Sequence, residues 1–144
     1  MTQVPSTIFR AYDIRGVVDE TLTEAGVEAI GQAIGSEAQA RGESRVVVAR
    51  DGRLSGPRLI KALTRGLTAS GCDVVDIGMV PTPVLYFATH TLEGTRSGVM
   101  LTGSHNPPDY NGLKMVLGGE TLSGEAITAL YTRLQNGDLR EGQG

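Results

Sequence analysis

The chain has no tryptophan, and aromatic residues make up only 4% of it. Any core must therefore be assembled from Val, Leu, Ile and Ala. With 144 residues, 40% of them hydrophobic, there is enough material for one domain of common size. Cys72 is the single cysteine, which excludes an internal disulfide framework and fits a reducing compartment. One cysteine and two scattered histidines give no zinc spacing. There is no basic excess: 13 Lys+Arg stand against 16 Asp+Glu, a formal net charge of -3. That argues against a dedicated nucleic-acid binder and against polybasic docking to a membrane. No apolar run is long enough to span a bilayer. The opening "MTQVPSTIFRAYDIRG" lacks the charged and then apolar segments of a secretory signal. The expectation is a soluble cytoplasmic protein with neither nucleic-acid nor membrane partners. No P-loop and no G-x-G-x-x-G at a strand–helix turn occur. No D-x-D-G cluster occurs either, so the chain alone does not make a full magnesium site.

Glycine is plentiful, with 20 residues, as expected where many tight turns join regular elements. Short β-like runs alternate with longer helical ones. Residues 10–18 read as a strand with a glycine break. Residues 22–41 read as a helix, with Ala25, Ala29, Ile30, Ala33, Ile34 and Ala38 at three- and four-residue steps. Gly31 and Gly35 share one face of it, placed for close packing against a sheet. "RVVVA" (45–49) is β-branched without alternation, the mark of a strand covered on both faces. Ser55 reads as the N-cap of a second helix with Pro57 in its first turn. Residues 72–78 read as another buried strand. Thr82 reads as the cap of a third helix, with Pro83 at its first position. Residues 97–102 and 112–117 read as strands, and the last helix runs from Ser123 to Asn136-Gly137. The gap between those two strands is too short for a helical crossover, so 112–117 is expected to pair antiparallel or lie at an edge. The fold class is α/β: a three-layer α/β/α domain with a mixed, mostly parallel sheet of about four to five strands. It spans residues 1–137, and 138–144 reads as a polar linker or chain end.

In open α/β sheets ligands bind beyond the carboxyl ends of the strands. Three polar clusters fall there: 50–55, 81–83 and 102–106. Arg50 and Arg53, with Arg10 and Arg15 near the first strand, make a rim suited to phosphate, because guanidinium offers paired donors to its oxygens. Each arginine taken singly is also consistent with a solvated loop charge. Within "LTGSHNPPDYNGLKM" (101–115), Ser104 is flanked by Gly103 and by Pro107-Pro108, which restrict the loop. From spacing alone it is either an ordinary turn serine or a hydroxyl, free or phosphorylated, presented at fixed geometry. Adjacent side chains on an extended backbone point apart, so Ser104 and His105 do not make a hydrolase dyad. His105 is either a donor to a phosphoryl oxygen or a polar loop residue; His90, inside a helix, reads as structural or surface. Lys114 faces away from Leu113 and Met115, toward solvent or toward the site.

Four blocks carry a resemblance: "FRAYDIRG" (9–16), "ARDGRLSG" (49–56), "GMVPTPVLYFA" (78–88) and "MLTGSHNPPDYNGLKM" (100–115). In order and spacing they resemble the N-terminal domain of the α-D-phosphohexomutases, and they span nearly the whole chain. The resemblance implies that Ser104 carries a phosphoryl group as phosphoserine, surrounded by Arg15, His105 and Lys114. It implies Lys114 as the acid/base for the sugar hydroxyl with His105 near it, Arg15 as an electrostatic and positioning group, and Tyr12 close to the sugar. Thr102, Gly103 and Asn106 would support the loop. It also implies Mg²⁺, with the phosphate on Ser104 as one ligand and the others in a second domain, and a hexose 1,6-bisphosphate activator. The partners implied are a phosphosugar substrate and three further domains of the same enzyme, which this chain does not contain. The isolated chain is then expected to be inactive alone. Two other readings compete. One is a non-catalytic α/β interaction or receiver-like domain; receivers need an acidic acceptor pocket at strand ends, and Asp51 and Asp76 have no paired acidic neighbours. A serine hydrolase lacks its G-x-S-x-G elbow here.

Overall fold

The computed structural model describes residues 3–144. Three consecutive valines, Val46 to Val48, leave no polar side to a strand. That strand, β2 (Arg45–Arg50), is accordingly buried on both faces. Around it lie β1 (Ile14–Val17), β3 (Asp73–Met79), β4 (Gly98–Leu101), β5 (Tyr110–Leu117) and β6 (Glu120–Thr121). The sheet order is β1-β5-β4-β2-β3, with β6 on β5. β2 is parallel to β3 and β4, and β5 is antiparallel to β4, β1 and β6. Five strands therefore point one way and β5 alone is reversed, as its short connection to β4 requires. The sixth strand exceeds the expected four to five. Gly118 and Gly119, at φ 60° and 85°, form the two-residue turn that pairs Glu120 with Leu117.

Four helices cover the sheet: α1 (Glu24–Ala40), α2 (Gly56–Ala69), α3 (Thr82–Thr91) and α4 (Glu125–Asn136). Period-two alternation sorts the strands' side chains between two cores. Ile14, Val46, Val48, Val99, Leu101, Leu113 and Met115 join the main core with residues of α1, α2 and α4. Val47, Ala49 and Met100 join a smaller one with Leu85 and Ala88 of α3. This is the expected α/β/α arrangement. α4 stops at Gly137, which takes the left-handed φ of 65° that ends a helix cleanly. The polar tail beyond it lies across α1 and α2: the Arg140 amide donates to Ser36 Oγ at 2.8 Å and the Gly142 amide to the Ala69 carbonyl at 2.8 Å.

Several local expectations change. Gly31 and Gly35 face α2, not a sheet. A Cβ on Gly31 would lie 2.7 Å from the Leu63 carbonyl oxygen, so the two helix backbones touch there. The 72–78 strand is an edge, with Asp73, Asp76 and Met79 exposed. An apolar run does not by itself distinguish edge from centre, although charges such as Asp73 and Asp76 are usual at edges. Ser55 stands at the N-cap position of α2 with Pro57 in its first turn, as expected, but its side chain makes no capping bond; its Oγ instead accepts from Asn111 Nδ2 at 2.9 Å. α3 begins at Thr82 itself, after an extended Pro81, so Thr82 is not a cap. Thr23 caps α1, accepting from the Gly26 amide at 3.0 Å.

Candidate active site

Because β2, β3 and β4 are parallel, the loops leaving their carboxyl ends gather on one edge of the sheet. The loop after β4, 102–109, holds Ser104 and His105, both exposed. Ser104 has φ 54°, the left-handed region that a non-glycine residue occupies at a cost of order 1 kcal/mol or more. Such a conformation persists only where neighbours enforce it, and here they are identifiable. The Ser104 amide donates to Thr102 Oγ1 at 3.0 Å. The Asn106 amide and Nδ2 both donate to the Gly103 carbonyl, at 3.0 and 2.8 Å. The Tyr110 amide closes a turn onto the Pro107 carbonyl at 3.0 Å. Among the described residues none hydrogen-bonds the Ser104 hydroxyl. Thr102, Gly103 and Asn106 thus fasten the loop from within.

The loop after β2 fastens it from below. Asp51 Oδ2 accepts from Thr102 Oγ1 at 2.8 Å and from the Gly103 amide at 3.1 Å, while Oδ1 accepts from the Arg53 amide at 3.1 Å. Arg53 then reaches over the loop. Its Nη1 donates to the carbonyls of Pro107 and Tyr110 at 2.5 and 3.0 Å, and its Nη2 to those of Ser104 and Asn106 at 3.1 and 2.8 Å. Nε lies 3.5 Å from Asp51 Oδ2. This corrects the phosphate expectation for Arg53: its donors are occupied by backbone. The "RDGR" cluster is visible in the sequence but its partner is not, because a carbonyl acceptor has no residue signature. The nearest available signal was an Asp immediately after a buried strand, placed to accept from the next loop.

Arg15 and Lys114 come from the other half of the sheet. β1 pairs Arg15 with Gly112, and β4 pairs Met100 with Lys114. Arg15, Gly112, Lys114 and Met100 therefore share the sheet face that carries α3. α3 packs chiefly against β2 and β4 on that face, while on the β1 and β5 side Arg15, Val17 and Lys114 are half-buried. Lys114 is half-buried there, two residues or roughly 7 Å of strand below the level of Arg15. Arg15 Nη2 meets Asp13 Oδ2 at 2.5 Å, and Asp13 is 5% exposed. Arg15 Nε is buried with no hydrogen-bond partner among the described residues, an unspent donor. Tyr12 precedes this pair and is 79% exposed. Ser104 and His105 thus stand at the strand ends, with Arg15, Lys114 and Tyr12 on or beside the adjoining sheet face.

An open groove of about 410 Å³ runs between Arg53, Leu54 and the Ser104 loop. Beyond Leu54 a second, of about 360 Å³, is lined by Asp19, Arg58 and Pro108. Arg58 is committed to Asp19 by two bonds of 2.8 and 2.7 Å. That hydrogen-bonded guanidinium holds the Asp19 carboxyl below its ordinary range. A larger hollow of about 550 Å³ lies between the N-terminal segment and α4, but no ionisable acid, base or thiol other than Tyr131 lines it. Among the described residues no group of three His, Cys, Asp or Glu is placed to hold a metal ion. Asp51, the carboxylate nearest Ser104 in the bonding network, already accepts from three donors. Among the described residues no helix is long and apolar enough to cross a membrane.

Comparison with known proteins bears on the family and the fold. The family model described as phosphoglucomutase/phosphomannomutase, alpha/beta/alpha domain I, matches residues 6–141. Phosphomannomutase/phosphoglucomutase of Pseudomonas aeruginosa is 63% identical over 98% of this chain, which covers 30% of that protein. Phosphoglucomutase of Neisseria meningitidis serogroup B is 53% identical over 94% of the chain, covering 29% of it. A crystal structure of a phosphoglucomutase/phosphomannomutase family protein from Burkholderia thailandensis superposes with a TM-score of 0.95 at 52% identity. It covers 99% of this chain, and the chain covers 32% of it. The chain thus spans about 30% of the length of the curated relatives it matches.

Proposed function

The chain belongs to the phosphoglucomutase/phosphomannomutase family, matching its α/β/α domain I, and from that membership we propose that Ser104 is the phosphoryl carrier of a phosphohexomutase. The enzyme would interconvert hexose 1-phosphate and hexose 6-phosphate, mannose or glucose, through a 1,6-bisphosphate, in the cytoplasm. The observation that carries this reading is Ser104 itself: a free hydroxyl, held at φ 54° on a loop fastened at both ends, at the carboxyl edge of the parallel strands.

In the forward half-reaction a sugar hydroxyl attacks the phosphorus on Ser104. The new bond is sugar oxygen to phosphorus, and the bond that breaks is Ser104 Oγ to phosphorus. The hydroxyl proton would pass to Lys114, with His105 beside the path, while the departing Oγ takes up a proton from solvent and becomes the serine hydroxyl. In the second half-reaction the bisphosphate, turned end for end, returns its other phosphoryl group to Oγ, which gives up its proton, and Lys114 returns a proton to the sugar oxygen that is released. A loose phosphoryl transfer needs chiefly positioning and charge neutralisation. Arg15, with its unpartnered Nε, would supply a fixed cation near the phosphoserine, and Tyr12 would border the sugar. Mg²⁺, when bound, would neutralise charge on the transferring group; this chain would offer it only a phosphate oxygen on Ser104. Further domains of the same protein would complete the metal site, recognise the sugar and clamp its distal phosphate.

The test compares the isolated chain with the full-length protein, using mannose 1-phosphate and a hexose 1,6-bisphosphate activator. The full-length protein should turn over and lose activity on Ser104→Ala; the isolated chain should show little or no turnover. Robust turnover by the isolated chain would overturn the shared-site reading. Turnover by the Ser104→Ala enzyme would overturn the carrier itself.

A further inference from the structure

We infer that Arg53 is the positioning residue of the phosphoserine loop: it sets where the Ser104 oxygen stands without touching the phosphoryl group. The inference rests on the reading of Ser104 as phosphoryl carrier and adds a residue to it. Two guanidinium nitrogens donate to four carbonyls, of Ser104, Asn106, Pro107 and Tyr110. Those carbonyls lie on both sides of the Pro107-Pro108 pair, so one side chain ties the start of the loop to its end. The third nitrogen faces Asp51, which in turn holds Thr102 and Gly103. The Arg53 side chain is 15% exposed, and its donors are already occupied. A planar fork of five donors can serve such a set; an ammonium, with three donors at one point, cannot.

Gly103 supplies independent support. A Cβ there would lie 2.5 Å from Arg53 Nη1, and nearer still to Nε and Cζ. The glycine is what lets the guanidinium lie flat against the loop. The consequence for transfer follows from geometry. A misplacement of the reacting oxygen by about 1 Å costs on the order of 100-fold in rate, while a phosphosugar held by other groups would still bind.

The test uses the full-length enzyme with Arg53→Lys, Arg53→Gln and Gly103→Ala, plus Ser104→Ala as reference. Steady-state kinetics are paired with amide hydrogen exchange. Arg53→Lys should lose about 100-fold in kcat with KM within about threefold, close to Arg53→Gln, because charge alone does not replace the fork. Gly103→Ala keeps every charge and should reproduce the same split. In all three, the amides of Ser104 and Asn106 should exchange at least about tenfold faster, while β4 amides stay protected. Near-normal kcat for Arg53→Lys would overturn the inference, as would a raised KM at unchanged kcat, which would make Arg53 a direct phosphate ligand. A Gly103→Ala enzyme that behaves as wild type would also overturn it. If instead Ser104→Ala remains active, the carrier reading fails, while the exchange data still report on the clamp. Should the Arg53 variants not fold, Gly103→Ala carries both readouts.

Discussion

Replacing Gly66 by Ala sets two effects against each other. Alanine is the better helix former by about 1 kcal/mol, and α2 would gain that. But Gly66 lies where α2 meets α1. A Cβ there would stand 2.8 Å from the Gln32 amide nitrogen and 2.9 Å from the Glu28 carbonyl carbon, and closer still to the Glu28 oxygen. These are backbone atoms, so no side chain can swing aside. Ordinary contact begins near 3.4 Å, so clearing the Glu28 carbonyl oxygen, the nearest atom, requires the helices to part by more than about 1 Å. A gap of that size forfeits about a quarter or more of the attraction between facing atoms. The interface beside it holds Val27, Ile30, Leu63 and Leu67, all fully buried. Overpacking against rigid surroundings costs about 1–3 kcal/mol, occasionally more, and the rigid neighbours place this case at the upper end. Net destabilisation of about 2 kcal/mol follows, a fall of roughly 6 °C in Tm for a domain of this size. Calorimetry or thermal circular dichroism on the chain measures it. A rise in Tm for Gly66→Ala would refute the reasoning, since helix propensity would then have prevailed and the glycine would not set the helix spacing.

Ser55→Gly separates a cap from a buried partner. A cap serine replaced by Gly loses only a few tenths of a kcal/mol. With Asn111 at 0% exposure and bonded to Ser55 Oγ, the same change strands an amide donor and should cost about 1–3 kcal/mol by denaturant midpoint. Asp19→Asn tests the Arg58 pair without new backbone strain, since Asn tolerates the φ of 67° at this position. The Asp19 carboxyl is held below its ordinary value when folded, so its stabilisation is complete above the unfolded value of about 3.9. It is lost as pH falls through the lower folded value. The Tm difference between wild type and Asp19→Asn should therefore be present at neutral pH and vanish in acid; a difference that grows as pH falls would contradict the sign.

The layers, the element order and the reversal of β5 were legible because each has a local signature. Alternation at Leu113, Lys114 and Met115 placed the lysine opposite the core, and the unbroken valines of β2 marked a strand covered on both sides. What was not legible depends on partners distant in sequence. Gly31 reads equally as a contact with a sheet or with a helix, and only the position of Leu63 decides it. Ser55 has the form of a cap, but Asn111, far along the chain, claims its oxygen. The candidate site shows the same division. Ser104, Arg15 and Lys114 were named from the four blocks. The bracing by Asp51 and Arg53 was missed because its acceptors are backbone atoms, which any residue carries. Spacing alone left Ser104 between an ordinary turn serine and a phosphate carrier. The proposal that it carries a phosphoryl group rests on the family membership; the positive φ and the fastened loop are compatible with either reading.

The most direct test is phosphopeptide mapping of the full-length protein after incubation with glucose 1,6-bisphosphate and Mg²⁺. The account predicts one phosphoryl group, on Ser104, lost on chasing with excess hexose monophosphate. A phosphoryl group on another residue, or an active enzyme that never carries one on Ser104, would contradict it.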